Sequence, residues 1–295
     1  MFQGSIPALV TPMTADGAVD FPAWDRVLDF HVSGGTDGVV VAGTTGESPT
    51  LERAELEQLV TRAKARLAGR LPVIAGSGTN STAKTIALSR ACEAAGADAL
   101  LLVTPYYNKP TQEGLFRHFT AVADAVRVPI ILYNVPGRTG CDMLPETIVR
   151  LSQHPRIVGV KEATGDLARA EPILAGAPRG FALISGDDPT AAQLMKLGAC
   201  GVISVTANVA PRAMHEVCAA ALAGRHAEAL SRNEALMPLH RAMFVEANPI
   251  PVKWAVERLG LIGPGIRLPL TPLAERYRAE VAAAMNAVGL LPVAA

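Results

Sequence analysis

Eight short apolar runs, separated by amphipathic stretches, set the strongest limit on what this chain can fold into. The runs lie at residues 6–12, 38–42, 72–76, 99–104, 129–134, 157–162, 182–186 and 201–205, each bounded by Gly, Pro, Asn or Asp. Strands apolar on both faces belong to a parallel sheet covered by helices, because an antiparallel sheet with one wet face alternates polar and apolar residues. The intervening segments supply those helices. Residues 51–67 repeat apolar side chains near 3.6 periodicity, with Glu52, Glu55, Glu57, Arg62, Lys64 and Arg66 on the polar side, and 81–95 and 113–126 behave alike. Glycines at Gly34-Gly35, Gly96 and Gly198 stand where a helix ends just before a strand. Eight such units favour closure into an α/β (β/α)8 TIM barrel over an open doubly wound sheet. The one GxG-like stretch, Gly76-Ser-Gly78, lacks a third glycine and lies at the third strand, so it is weak support for a dinucleotide site.

No strand pattern remains beyond about residue 211, and the segments 211–224, 225–246, 249–260 and 269–289 read as helical. The expected division is a catalytic barrel over residues 1–224 and a C-terminal helical extension over 225–295. A length of 295 residues suits one barrel with an appended piece. The formal net charge of zero gives no electrostatic case for nucleic acid. No apolar stretch of the roughly 18 residues a span needs is found, so no membrane partner is expected. The N-terminus lacks a basic segment followed by an apolar one, which reads as cytoplasmic. Cys92, Cys141, Cys200 and Cys218 are far apart and form no CxxC or Cys/His motif, which reads as reduced core thiols. The six histidines are scattered, no metal triad emerges, and neither a metal nor any other cofactor is expected.

Within this frame Lys161 stands out. Of six lysines against 21 arginines, it alone interrupts a strand pattern, in the run Ile157-Val-Gly-Val-Lys161. Burial penalises a charged amine, and a neutral amine attacks a carbonyl to form a Schiff base. Catalytic groups of a barrel sit at the C-terminal ends of its strands and in the loops that follow. Strand alternation puts Ile131, Tyr133 and Val135 on one face, and Gly159, Lys161 and Ala163 on one face of the next strand, so a phenol and an amine can meet in the barrel mouth. A phenol there can relay the protons that carbinolamine dehydration and enamine formation require, and Thr44 could pass them on. Backbone N–H groups of the turn Gly43-Thr44-Thr45-Gly46 can hold a carboxylate, and Arg138 can clamp a second one. Together they describe a site for two small carboxylated carbonyl compounds.

Plainer readings stand beside these. Tyr133 fits a core residue with its hydroxyl at the rim, Arg138 a surface ion pair, the 43–46 segment a tight turn, and Lys161 a structural cation paired with Glu162 or another carboxylate. Asp187-Asp188 before Pro189 reads as a helix-capping pair rather than a metal site. The loops after the seventh and eighth strands lack the glycine-rich form of a barrel phosphate site, which disfavours phosphorylated sugars.

Four motifs, Gly43-Thr-Thr-Gly-Glu-Ser48, Tyr106-Tyr-Asn-Lys-Pro110, Tyr133-Asn-Val-Pro-Gly-Arg-Thr139 and Gly159-Val-Lys-Glu-Ala-Thr-Gly165, resemble the 4-hydroxy-tetrahydrodipicolinate synthase family of class I pyruvate-dependent aldolases and lyases. Asn248-Pro-Ile-Pro-Val-Lys-Trp254 and Arg267-Leu-Pro-Leu-Thr-Pro272 extend the likeness over essentially the whole chain. The resemblance implies a Schiff base between Lys161 and pyruvate, and a proton relay of Tyr133, Thr44 and Tyr107, with Tyr107 donated across a tight dimer interface. It implies that Thr44 and Thr45 hold the pyruvate carboxylate, Arg138 that of L-aspartate 4-semialdehyde, and that Gly186 and the Ile203 backbone line the pocket. A homotetramer built as a dimer of dimers is the implied assembly, and the product is the first committed intermediate toward lysine. Another pyruvate-dependent aldolase, of the N-acetylneuraminate lyase or 2-keto-3-deoxysugar acid aldolase type, shares the lysine and tyrosine, as would a silent homologue that senses a keto acid. Feedback-inhibited members bind lysine through residues matching Ser48, Asn80 and Tyr106 together with histidines and an acid. This chain has Arg53, Leu56 and Lys84 at those other positions, so weak or absent lysine inhibition is expected.

Overall fold

A computed structural model describes residues 2–290. Eight parallel strands, β1 (Gly4–Pro7), β2 (Val39–Val41), β3 (Val73–Gly76), β4 (Ala99–Val103), β5 (Ile130–Asn134), β6 (Ile157–Glu162), β7 (Ala182–Ser185) and β8 (Gly201–Ser204), follow one another round a single sheet. β1 pairs with β8, and a bridge between Ala8 and Val40 brings β1 against β2, so the sheet closes on itself. The TIM barrel expected from the eight apolar runs is therefore the fold.

Both faces of each strand are apolar because two cores need them. Ile6, Val40, Ile74, Leu101, Ile131, Ile184 and Ile203 fill the barrel interior. Their neighbours Val39, Val41, Val73, Leu100, Leu102, Ile130, Leu132, Val160, Leu183 and Val202 point outward into the layer beneath the helices. Each such side chain stabilises the fold by roughly 1.5–3 kcal/mol through burial. Gly35, Gly96 and Gly198 take left-handed backbone conformations at helix ends, as their positions before strands suggest. Burial pushes the His31 imidazole down to about 3 and that of His118 to about 4, which makes both neutral packing residues at neutral pH.

Three expectations need correction. The first strand covers residues 4–7, not 6–12: past Leu9, whose N–H still donates to the Val40 carbonyl, the backbone leaves the ladder, and the Val10 N–H donates to the Asn208 side chain instead. The helix expected over 225–246 is two, His226–Ala235 and Met237–Ala242, because Pro238 has no N–H to carry the hydrogen-bond series across. The last helix runs Glu275–Ala287 and not from residue 269, since Pro269 and Pro272 fix φ, offer no donor and disfavour helix in the residues before them. With Ile250–Arg258, these helices form the extension, which lies against the strand-end loops and reaches the barrel mouth.

Candidate active site

A cavity of about 110 Å³ opens at the C-terminal ends of the strands. Thr44, Thr45, Tyr133, Arg138, Lys161 and Gly186 all line it, so the structure brings together six of the eight residues expected to serve the site. Ile203 does not line it; it is packed in the barrel interior. Tyr107 is also outside, 89% exposed on a loop whose residues 107 and 109 both hold positive φ.

Lys161 and Tyr133 are direct partners in the β5/β6 register, and the lysine Nζ lies 4.3 Å from the centre of the tyrosine ring. Alternation along β6 sends Glu162 to the opposite face. There its carboxylate accepts from Arg169 Nε at 3.1 Å and from the Thr164 N–H at 3.0 Å. The structural reading of Lys161 as the partner of Glu162 is thereby overturned. Among the described residues no carboxylate pairs with this lysine, though it is only 5% exposed. An ammonium buried without an acid is costly, and the ring face of Tyr133 offsets only part of that cost.

Gly186 follows β7 directly against the lysine. A Cβ at this position would stand 2.5 Å from Ala163 Cβ and 2.9 Å from Lys161 Cε. Glycine here leaves the volume through which the lysine side chain runs.

The turn after β2 presents donors without acceptors. Gly46 and Ser48 donate backbone N–H bonds to the Gly43 carbonyl and Glu47 to that of Thr44, whereas the N–H groups of Thr44 and Thr45 donate to no acceptor among the described residues. Two adjacent unspent donors at a cavity wall form an anion cradle. Thr44 and Tyr133 also border a smaller cavity of about 30 Å³ that adjoins the main one. Arg138, on the helical turn Pro136–Thr139, donates from Nη2 to the Asn248 carbonyl at 3.4 Å and leaves the rest of its guanidinium to the cavity.

A family model described as the dihydrodipicolinate synthetase family matches residues 1–288. The chain belongs to that family. Curated relatives named 4-hydroxy-tetrahydrodipicolinate synthase include those of Methylococcus capsulatus, 58% identical over 99% of this chain and 100% of the relative, and Stutzerimonas stutzeri, 57% identical with the same coverage. Among solved structures, the chloride-inhibited dihydrodipicolinate synthase of Acinetobacter baumannii complexed with pyruvate superposes with a TM-score of 0.97 at 51% identity, covering 99% of this chain and 100% of that one.

Other features of this dihydrodipicolinate synthetase family member were not read from the sequence. Phe244 and Asn248 come from the extension to line the cavity, and Asn248 Nδ2 donates to Thr45 Oγ1 at 3.0 Å. Lys253, in the segment 249–260 that reads as helical, is 5% exposed and pairs with Glu47. Its burial pulls the ammonium below the ordinary lysine range, and the Glu47 carboxylate opposes that shift. The signal lay in its apolar flanks, Ile250-Pro-Val and Trp254-Ala-Val, the same kind that marked Lys161. The expected capping by Asp187-Asp188 is not found: the next helix, Ala191–Lys196, follows Thr190 without a side-chain cap, and Asp187 accepts from the Thr190 N–H and hydroxyl to close the turn ahead of it. Asp188 is no cap, and instead reaches across to accept from the Val205 and Thr206 N–H groups after β8. No group of three or more His, Cys, Asp and Glu side chains among the described residues is arranged to hold a metal ion.

Proposed function

We propose that this protein is a Schiff-base lyase that condenses pyruvate with L-aspartate 4-semialdehyde to give 4-hydroxy-tetrahydrodipicolinate. The observation that carries the reading is Lys161, buried without a carboxylate, against the Tyr133 ring in a cavity that ends at two unspent backbone donors. The Thr44 and Thr45 N–H groups receive the pyruvate carboxylate, and Lys161 Nζ attacks its keto carbon. Water leaves the carbinolamine, a methyl proton is lost, and the enamine carbon attacks the aldehyde. The acceptor's amino group then closes the ring on the imine carbon and returns the free lysine. Tyr133, Thr44 and Tyr107 carry the protons, and Gly186 shapes the pocket floor.

Arg138 favours this acceptor over a polyol aldehyde of the sugar-acid aldolases, which has no second carboxylate to clamp. The test is a coupled assay of aspartate semialdehyde against sugar-acid aldehydes, in the wild type and in Arg138→Leu. Turnover is expected with the semialdehyde alone, and the variant is expected to lose about a hundredfold in kcat/KM for it while its borohydride-trapped pyruvate adduct persists. A sugar-acid aldehyde used as well as the semialdehyde would sink the assignment.

The assembly that supports this chemistry is a homotetramer built as a dimer of dimers. The exposure of Tyr107 supports its entry into a neighbour's site, and an apolar surface containing Leu167, Leu174 and the half-exposed Leu197 suits the second contact. Residues 1–224 act as the catalytic barrel and 225–295 as its extension. The cytoplasm suits four unbridged cysteines, and no helix among the described residues is long and apolar enough to cross a membrane. At the positions that differ from feedback-inhibited members, Leu56 is core-packed, Arg53 pairs with Glu57 and Lys84 is exposed. A lysine dose–response is expected to stay flat through the submillimolar range.

A further inference from the structure

The turn that carries the Thr44 and Thr45 donors is anchored by a residue outside the cavity. Glu47 closes that turn with φ 57° and ψ 37°, a left-handed conformation that few side chains adopt without compensation. Its carboxylate is fully buried and is bound at both oxygens: Oε1 by Lys253 Nζ at 2.5 Å, Oε2 by the Arg267 N–H at 3.1 Å. Both donors belong to the C-terminal extension, as does Asn248, which holds the Thr45 hydroxyl. Arg267 continues the contact, donating to the Thr50 carbonyl and pairing with Glu55 just beyond the turn.

We propose that the buried Glu47–Lys253 pair is a positioning device for the keto-acid carboxylate: it fixes the turn so that the Thr44 and Thr45 N–H groups converge on one anion, and it makes the extension part of that subsite. The proposal rests on the reading of those two donors as the pyruvate cradle. Neither residue lines the cavity. A glycine at 47 would accept the left-handed backbone freely but could not reach Lys253 or Arg267, so glutamate at this position holds a conformation that glycine merely permits. Breaking a buried pair by removing one partner leaves the other charge unmatched, and the turn must move to solvate it.

The experiment traps Schiff bases at Lys161 with borohydride over a range of ketone concentrations and counts the adduct by mass spectrometry. Pyruvate is compared with acetone, a methyl ketone without the carboxylate, in the wild type, Glu47→Gln, Lys253→Met and the double variant. The wild type is expected to trap pyruvate at far lower concentration than acetone. In each single variant the half-saturating pyruvate concentration is expected to rise about tenfold, while that of acetone stays unchanged. Lys253→Met carries the same expectation as Glu47→Gln, so the decision does not depend on one variant folding. The double variant removes both charges and should recover thermal stability but not the pyruvate preference, since the tie to the turn is still missing. An unchanged pyruvate curve in folded variants, with the wild-type preference intact, overturns the positioning role and leaves the cradle standing. Equal weakening for both ketones overturns it too, because the damage then lies at the lysine. A wild type that does not prefer pyruvate removes the cradle itself.

Discussion

Lys161→Ala is expected to leave no borohydride-reducible adduct with pyruvate and to lower kcat/KM by about 10⁴-fold or more, because covalent catalysis is removed and only binding and electrostatics remain. Lys161→Arg should do no better than alanine. Its guanidinium would fill much of the same space and keep the charge, but it does not shed a proton to become a nucleophile. The informative companion is Lys161→Met, of similar length and without charge. No carboxylate pairs with the native lysine among the described residues, so methionine exchanges a buried amine without an acid partner for an apolar chain in contact with Tyr133. Its melting temperature is expected to equal or exceed that of the wild type while activity is lost. A structural lysine predicts the reverse, a clear drop in melting temperature with an adduct still formed at another lysine. Intact protein mass after reduction, with peptide mapping of residue 161, separates the two outcomes.

The legible parts of the chain were those governed by local rules. Period-two apolar patterning put Tyr133 and Lys161 on inward faces of neighbouring strands, and the barrel register makes them partners. The same alternation answers the objection that Lys161 pairs with Glu162, since residues adjacent in a strand face opposite ways. What escaped depended on long-range contacts. Asn248 meets Thr45 and Lys253 meets Glu47 across more than 200 positions of chain, and a one-dimensional pattern carries no register between a helix of the extension and a turn after β2. Lys253 was hidden for a further reason: successive residues of a helix point in different directions, so a lysine between apolar residues can still belong to the solvent face and does not break a pattern as it does in a buried strand. Ile203, whose backbone the resemblance puts at the pocket, shows the limit of resemblance, because a matching strand position does not tell whether a residue borders the cavity or lies in the core below it. Tyr107, 89% exposed on its loop, has no place in the site assembled from one chain, and its role rests on the proposed neighbouring subunit.

Gly186→Ala carries the other large effect, and here one methyl group is expected to cost about a hundredfold in kcat/KM. The φ angle at this position lies outside the left-handed range, so the backbone does not demand glycine; the space does. The added Cβ would meet Ala163 Cβ at 2.5 Å and Ala163 Cα at 3.1 Å on one side, and Lys161 Cε at 2.9 Å on the other. Ala163 sits at the end of β6 and cannot turn away, whereas the lysine chain can rotate. Relief therefore comes mostly from Lys161, which swings away from the Tyr133 ring and from the line of approach to a keto carbon held at Thr44 and Thr45. A displacement of roughly 1 Å from near-attack geometry is enough for a loss of that size. Overpacking should also lower stability by about 1–3 kcal/mol. The double variant Gly186→Ala/Ala163→Gly separates the two effects. It removes the collision with Ala163 Cβ and should recover most of the melting temperature, but it leaves the methyl beside Cε, so the rate of pyruvate adduct formation should recover only in part. Full recovery of that rate would mean that the methyl never displaced the lysine, and that Gly186 serves the packing of β6 against β7 rather than the reach of the amine.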